Sequence, residues 1–315
     1  MAKQPGTEEI LNRIRQIAKL PISSEDIAYL MKILSGTNHI AVEQAARVMG
    51  RSGDACFITP LAAAFNKYID HPERDKGCMA KESICTALDS LKCFDDSVYL
   101  RRVKHIQMEP VFGGKEDVAA NLRGLCALAL TRISYPDIHF VLADLLMDKE
   151  IQTRRTAVNL VSALGSERSE LLLRMKALAG DKEPEIMGSI FSGLLVVATK
   201  RSIPFVAGFL GSDDPFTAGQ AAAALGQSED ETAFEVLRGY WEANTDLNFN
   251  KPLLLAIGLT RREAAFRLLL EVVADGGRNS ALAAIEALGI YESDTRRGEE
   301  IKKTIGARKD LKGEY

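Results

Sequence analysis

Apolar residues recur at helical spacing from one end of the chain to the other. Ile10, Leu11, Ile14 and Ile17 repeat at the intervals of a single helix face. Val158, Val161 and Leu164 do the same ahead of Gly165. In the clearest stretch, residues 136–148 (PDIHFVLADLLMD) and 150–165 (EIQTRRTAVNLVSALG) read as two helices with a one- or two-residue turn between them. Residues 202–226 (SIPFVAGFLGSDDPFTAGQAAAALG) follow the same plan, with Asp214 placed to cap the second helix and Pro215 in its first turn.

The plan is periodic. Ala163-Leu164-Gly165, Ala224-Leu225-Gly226, Ala256-Ile257-Gly258 and Ala287-Leu288-Gly289 have glycines 61, 32 and 31 residues apart. A weaker copy, VVAT ending at Thr199, fills the first gap, and Val48-Met49-Gly50 is an earlier copy. Each glycine closes an apolar helical run, so it is expected as a helix C-cap. Helix, short turn, helix, glycine, repeated at about 31 residues, predicts an all-α fold: an α-α superhelix, or α-solenoid, of about eight helix pairs.

The repeat also locates what departs from it. Gly50 to Gly165 takes 115 residues for three units, whereas Gly165 to Gly289 takes 124 for four. Helical periodicity places the surplus in two turns between first and second helices, residues 71–77 (HPERDKG) and about 107–117. Equivalent turns of a solenoid line up along one edge, so these two are expected side by side. The second contains EPVFGGKED, residues 109–117, where Pro110 is expected to stop the preceding helix. Gly113-Gly114 lets the backbone turn tightly, and Asp117 can cap the helix carrying Arg123. Two readings stand for it: a partner surface with Phe112 as an exposed contact, or a tolerated insertion whose phenylalanine packs down.

An acidic turn followed by an arginine-bearing helix ending in Ala-Leu-Gly, as in Asp148, Arg154, Arg155 and Ala163-Leu164-Gly165, resembles the HEAT repeat in its short bacterial form, the type noted in phycobilin lyases. The resemblance covers roughly residues 24–292, and units two, three and five lack the terminal glycine. It implies one array over 1–315: a capping helix in 1–23, repeats over 24–292 with enlarged units near 54–133, and a capping helix and tail over 293–315. Second helices line the concave surface of most HEAT arrays. The resemblance therefore implies that Arg155, Asn159 and Ser162, spaced i, i+4, i+7, look into a groove, with Arg123 in a comparable place one unit earlier. Arg154 or Arg155 can equally serve as an internal tie to the turn at Asp148.

Composition narrows the function classes. Of 315 residues, 46% are hydrophobic and 26% charged, which fits a folded, soluble chain. Aromatics are only 6%, with Trp241 the single tryptophan. A formal charge of −3, from 40 basic and 43 acidic residues, offers no general attraction to nucleic acid or anionic membrane. The last twenty-one residues hold seven Lys or Arg, among them Lys312, against four acids, which reads as a solvated final helix. The apolar run GLLVVA at 193–198 is too short to span a bilayer, and the N-terminal stretch lacks a signal-peptide core. Five cysteines between Cys56 and Cys126, with no CxxC pair, suggest reduced thiols in the cytoplasm.

Candidate chemistry is sparse. Cys78 and Cys85 are read as sharing a helix face with His71 and His105 near, yet metal-ligand spacing is absent, and the four histidines (39, 71, 105, 139) do not occupy equivalent places in the repeat. Gly-Gly-Lys in the inserted stretch lacks the P-loop spacing, and no nucleophile elbow occurs. Glu109, Glu116 and Asp117 are explained by exposure and capping better than by acid-base work.

The expectation is a non-catalytic, cytoplasmic protein-binding scaffold without cofactor, metal or membrane, its surface drawn from Glu109, Phe112, Gly113, Gly114, Lys115, Asp117, Arg123, Arg155 and Asn159. The alternative implied by the resemblance is a lyase or chaperone-like factor acting on a protein-bound tetrapyrrole, with Arg123, Arg154 and Arg155 as the nucleus that would hold its propionates. A DNA-binding HEAT-like protein fits less well, for want of net positive charge and of aromatic side chains.

Overall fold

Several helices begin at a side-chain cap that the sequence supplies. Ser23 and Asp26 form a reciprocal capping box, the Ser23 hydroxyl accepting from the Asp26 amide and the Asp26 carboxylate from the Ser23 amide. Asn38 accepts from the Ala41 amide. Asp214 accepts from the amides of Phe216 and Thr217 with Pro215 in the first turn, as the pattern predicts. The computed structural model describes residues 6–19, 21–244 and 246–311; Lys312 and the outermost ends of the two expected capping segments lie outside them.

The chain divides into two compact units, Met1–Leu160 and Val161–Tyr315. The first holds α1 (Thr7–Ile17), α2 (Ser24–Leu34), α3 (His39–Ser52), α4 (Ile58–Asp70), α5 (Met79–Ser90) and the short α6 (Ser97–Leu100). A two-stranded hairpin follows, β1 (Met108–Val111) and β2 (Gly114–Asp117), then α7 (Ala120–Arg132) and α8 (Ile138–Leu146). The division falls inside α9 (Ile151–Leu164). The second unit holds α10 (Glu167–Ala179), α11 (Pro184–Ala207), α12 (Pro215–Gln227), α13 (Glu231–Ala243), α14 (Asn250–Leu259), α15 (Glu263–Asp275), α16 (Arg278–Leu288) and α17 (Thr295–Ala307). The fold is all-α helical repeat, and the hairpin is the only sheet among the described residues.

In each unit the second helices of successive pairs stack in a row. In the first unit α3 packs on α5 and α5 on α7; in the second, α12 packs on α14 and α14 on α16. First helices cover one side of each row, closing a core of residues such as Val42, Met49, Phe65 and Leu88 in one unit and Phe191, Leu225, Phe234, Ile257 and Phe266 in the other. Burying each such side chain stabilises the fold by roughly 1.5–3 kcal/mol.

Only some of the repeated glycines cap a helix. Gly165 alone of the series takes a left-handed backbone, at φ 60°. Gly50, Gly226 and Gly258 lie inside α3, α12 and α14, where those helices press on the next second helix. A Cβ on Gly50 would sit 2.8 Å from the Ala87 Cα, on Gly226 2.3 Å from the Ala256 carbonyl oxygen, and on Gly258 2.9 Å from the Ala287 oxygen. Ala256 and Ala287 are themselves the alanines of the recurring string, so Gly226 and Gly258 each meet the next unit's alanine. The expectation of C-caps holds at Gly165, left-handed just past α9, and at Gly289, which caps α16, and is corrected at Gly50, Gly226 and Gly258: there the string is a packing signal for backbones at close approach.

α11 spans two repeats. It breaks at Ala198 (φ −151°, ψ 64°), in the VVAT copy, so the second helix of one repeat runs into the first helix of the next without a loop. Residues Pro184–Gly211 are the only described helical segment with the length and apolar composition to cross a membrane. The break divides it, and α10 and α12 pack against it.

Candidate functional site

The two enlarged turns of the first unit meet, and a set of bonds between them holds the one strand pair among the described residues. The first turn leaves α4 at His71 and re-enters the helical path through Gly77 (φ 71°) and Cys78 (φ 60°), two consecutive left-handed residues. Asp75 makes that reversal possible. Its carboxylate is fully buried and accepts from the amides of Ala80 (2.9 Å) and Lys81 (3.0 Å), satisfying the open end of α5. It also faces the equally buried Lys81 ammonium at 3.0 Å, so the two charges compensate each other away from water.

The second turn departs from expectation. It is the hairpin, registered Met108↔Asp117, Glu109↔Glu116, Pro110↔Lys115 and Val111↔Gly114, with Gly113 taking a φ of 89° at its tip. Pro110 stops no helix: α6 ends at Leu100, and Pro110 sits in β1, where an edge strand tolerates its missing amide. Residues such as Pro, Glu and Asp are poor strand formers, so the hairpin depends on bonds at its base.

Those bonds centre on Gln107. Its backbone amide donates to Asp117 Oδ1 (2.9 Å), and its carbonyl accepts from the Val118 amide (2.9 Å). The Gln107 side-chain amide donates to the Asp75 carbonyl (2.8 Å) and to Glu109 Oε1 (2.6 Å). Glu109 in turn accepts from the Gly77 amide at 2.9 and 3.1 Å. Gln107 and Glu109 thus tie the hairpin to the left-handed turn of the preceding repeat, and the two insertions lie side by side as the repeat arithmetic predicts.

Asp117 does not cap α7 at its first helical residue. It accepts from Ala119 one position earlier (3.0 Å) and from Arg123 Nη1 (2.7 Å). Burial pushes the Asp117 carboxyl up, but the Gln107 and Ala119 amides and the Arg123 guanidinium outweigh it and hold it below the usual carboxylate range. Arg123 is 3% exposed and bonded at all three nitrogens: Nε and Nη2 form a fork on Asp148 (2.8 and 2.9 Å), and Nη1 also donates to the His105 carbonyl (2.8 Å). It is an internal tie and does not present its guanidinium to a groove. Arg154, also buried, donates to the carbonyls of Asp148 and Lys149. Two of the three arginines read as a propionate-binding nucleus are therefore engaged within the fold.

The remaining candidates separate into two places. Phe112 stands entirely in solvent at the hairpin tip, with a relative exposure of 109%, so it does not pack down. Val111 and Met108 beside it are about half exposed, and Gly114 and Lys115 are exposed as well. Arg155 and Asn159 are on α9 instead; Arg155 is half-buried and donates to Gln152 Oε1 of its own helix, and Asn159 is exposed. Asp75, Lys81 and Gln107, which shape the site, carry no motif in the sequence. Only the Gly77 of the turn hinted at the backbone reversal they support.

The cysteine and histidine expectations change too. Cys78 precedes α5 and shares no helix face with Cys85. Cys85 lies in the core with its sulfur 3.7 Å from that of Cys126. No three His, Cys, Asp or Glu side chains among the described residues are grouped as a metal site. Burial, the largest influence, keeps the half-buried His105 imidazole below the usual histidine value.

No family model matches the chain, and no curated protein matches it. Among solved structures it is similar to the Escherichia coli protein YibA, at 16% identity over 92% of this chain and 99% of that one, with a TM-score of 0.48. It is also similar to human deoxyhypusine hydroxylase in complex with glycerol (14% identity, 82% of this chain, 92% of that one, TM-score 0.32). A third is the complex of CpcE and CpcF of phycocyanin lyase from Nostoc sp. PCC7120 (15% identity, 89% and 93%, TM-score 0.31). At this distance the likeness says nothing about what this chain binds.

Proposed function

We propose that the protein is a non-catalytic scaffold that docks a partner protein through the hairpin of its first unit. The observation that carries the reading is the pairing of a fully exposed Phe112 with a base fixed by Gln107, Glu109 and Asp117. An aromatic side chain in water gains free energy when a partner's pocket covers it, and a braced hairpin loses little entropy on docking. Lys115 and Glu116 flank the tip and supply a polar rim.

The test replaces Phe112 with a photo-crosslinking phenylalanine analogue and identifies, by mass spectrometry, what is captured in the source cell. One dominant adduct that an excess of unmodified wild-type protein suppresses, and Phe112→Ala does not, supports the docking role. Absence of any adduct, or equal competition by Phe112→Ala at unchanged thermal stability, removes it. A bilin titration addresses the tetrapyrrole alternative directly, through its absorbance.

A further inference from the structure

α10 is built inside out. Its inward face carries Ser169, Glu170 and Lys176, all buried, whereas Leu171, Met175 and Leu178 are 61%, 60% and 69% exposed. The buried charges are answered within the unit: Glu170 accepts from Arg174 Nε (2.8 Å) and Arg201 Nε (3.0 Å), and Lys176 Nζ lies 2.9 Å from Asp181 Oδ2. The three exposed apolar side chains, at i, i+4 and i+7, form one stripe along the helix. α13 and α15, the first helices of later repeats in the same unit, expose no large apolar side chain, so the stripe is peculiar to α10 among them.

Its symmetry and its charges decide what covers it. The stripe is centred between Arg174 and Met175, so a second α10 laid antiparallel across it sets Leu171 of each copy beside Leu178 of the other, with both Met175 side chains close to the two-fold axis. Arg174 leaves the middle clear, because its guanidinium is turned to Glu170, the Arg201 carbonyl and the Phe205 ring. The same overlay brings the exposed Glu167, in the first turn, to about the level of Lys182 of the second copy. Lys182 is 75% exposed just past the helix end and reaches its neighbour Glu183 only at 4.0 Å. A parallel overlay would set Glu167 on Glu167 and Lys182 on Lys182, and it would align the two helix dipoles instead of opposing them.

We propose that α10 is a self-association face, through which two copies of this chain pair by antiparallel α10 helices about a two-fold axis. One helix stripe is at the small end of protein interfaces, so the dimer is a reversible one that forms at about micromolar concentration. This surface lies in the second unit and does not depend on the docking role proposed for the hairpin.

Sedimentation equilibrium of the full chain, from about 1 to about 200 µM, should show a monomer–dimer equilibrium. The double variant Leu171→Lys, Leu178→Lys should weaken it at least about tenfold with an unchanged circular dichroism spectrum, since both side chains stand outside the core. Cysteine cross-linking in a glutathione redox buffer reads the orientation, in a Cys56→Ser background that removes the exposed native thiol. Met175→Cys should link to itself, and Leu171→Cys mixed with Leu178→Cys should link to each other at least about threefold faster than either does to itself. A chain that stays monomeric over the whole range, or a lysine variant that dimerises as well as wild type, overturns the face. Leu171→Cys linking to itself as fast as to Leu178→Cys overturns the antiparallel pairing.

Discussion

Arg123 and Asp148 are joined by two parallel hydrogen bonds, Nε to Oδ2 at 2.8 Å and Nη2 to Oδ1 at 2.9 Å, although 25 residues separate them. The same guanidinium reaches Asp117 on the far side of the hairpin, and Asp148 Oδ1 also accepts from the Glu150 amide at the start of α9. One side chain therefore fixes the hairpin base, α7 and the entry to α9.

Removing it leaves two carboxylates without their cation, one of them buried. Arg123→Ala should lower stability by about 3–5 kcal/mol, and Arg123→Lys should recover little, since an ammonium cannot reproduce the fork. The midpoint of urea unfolding measures both. A loss under about 1 kcal/mol for the alanine variant would contradict the role given to this residue.

Acid should weaken the first unit in two steps. His105, with a folded pKa below that of the unfolded chain, contributes stability that is present above about pH 6.5 and is lost as pH falls through the folded value. The depressed Asp117 contributes stability that is present above about pH 4 and is lost below it, through its own lower folded value. Unfolding free energy measured from pH 8 to pH 3 should lose the first slope in His105→Gln and the second in Asp117→Asn. A His105 imidazole titrating at or above the ordinary histidine value by NMR would refute the first step.

Two glycines of α12 should respond to alanine with opposite signs. At Gly226 the added methyl meets a backbone oxygen at 2.3 Å, and the substitution should cost about 1–3 kcal/mol. Gly219, in the same helix, has nothing within 4 Å, and Gly219→Ala should stabilise by about 0.5–1 kcal/mol. Thermal unfolding of the two variants checks the pair, and shifts of the same sign would argue against the close approach of α12 and α14.

Thiol accessibility offers a simple check on the packing. Cys56 is exposed, whereas Cys78, Cys85, Cys93 and Cys126 are buried. A chromogenic disulfide reagent should titrate one thiol in the native protein and five in denaturant. Fast reaction of more than one in the native state would show that the first unit opens readily.

The repeat was legible because its period is carried by residue types with few alternatives, glycine above all. Its meaning was not. A glycine ending an apolar run fits a C-cap and a close contact equally, and only the position of Ala87, Ala256 or Ala287 on the next helix decides between them. The two insertions could be counted from the spacing of Gly50, Gly165 and Gly289, and their contact follows from the repeat. The hairpin could not be read, because MEPV and GKED have weak strand propensity and are held by Gln107 and Glu109 reaching Asp75 and Gly77. The sequence pattern points Arg123 toward a groove because nothing local shows that Asp117 and Asp148 converge on it. Sequence leaves Phe112 between two outcomes, and its full exposure beside the turn at Gly113 resolves them.

The glycine-on-alanine contacts of α12, α14 and α16 set the distance between these helices by main chain against main chain, with no long side chain as a spacer. Outward-facing positions on the same helices are therefore free to drift without altering the spacing beneath them. Mutation can rewrite what this row displays while its architecture stays the same, which makes the array a readily evolvable platform.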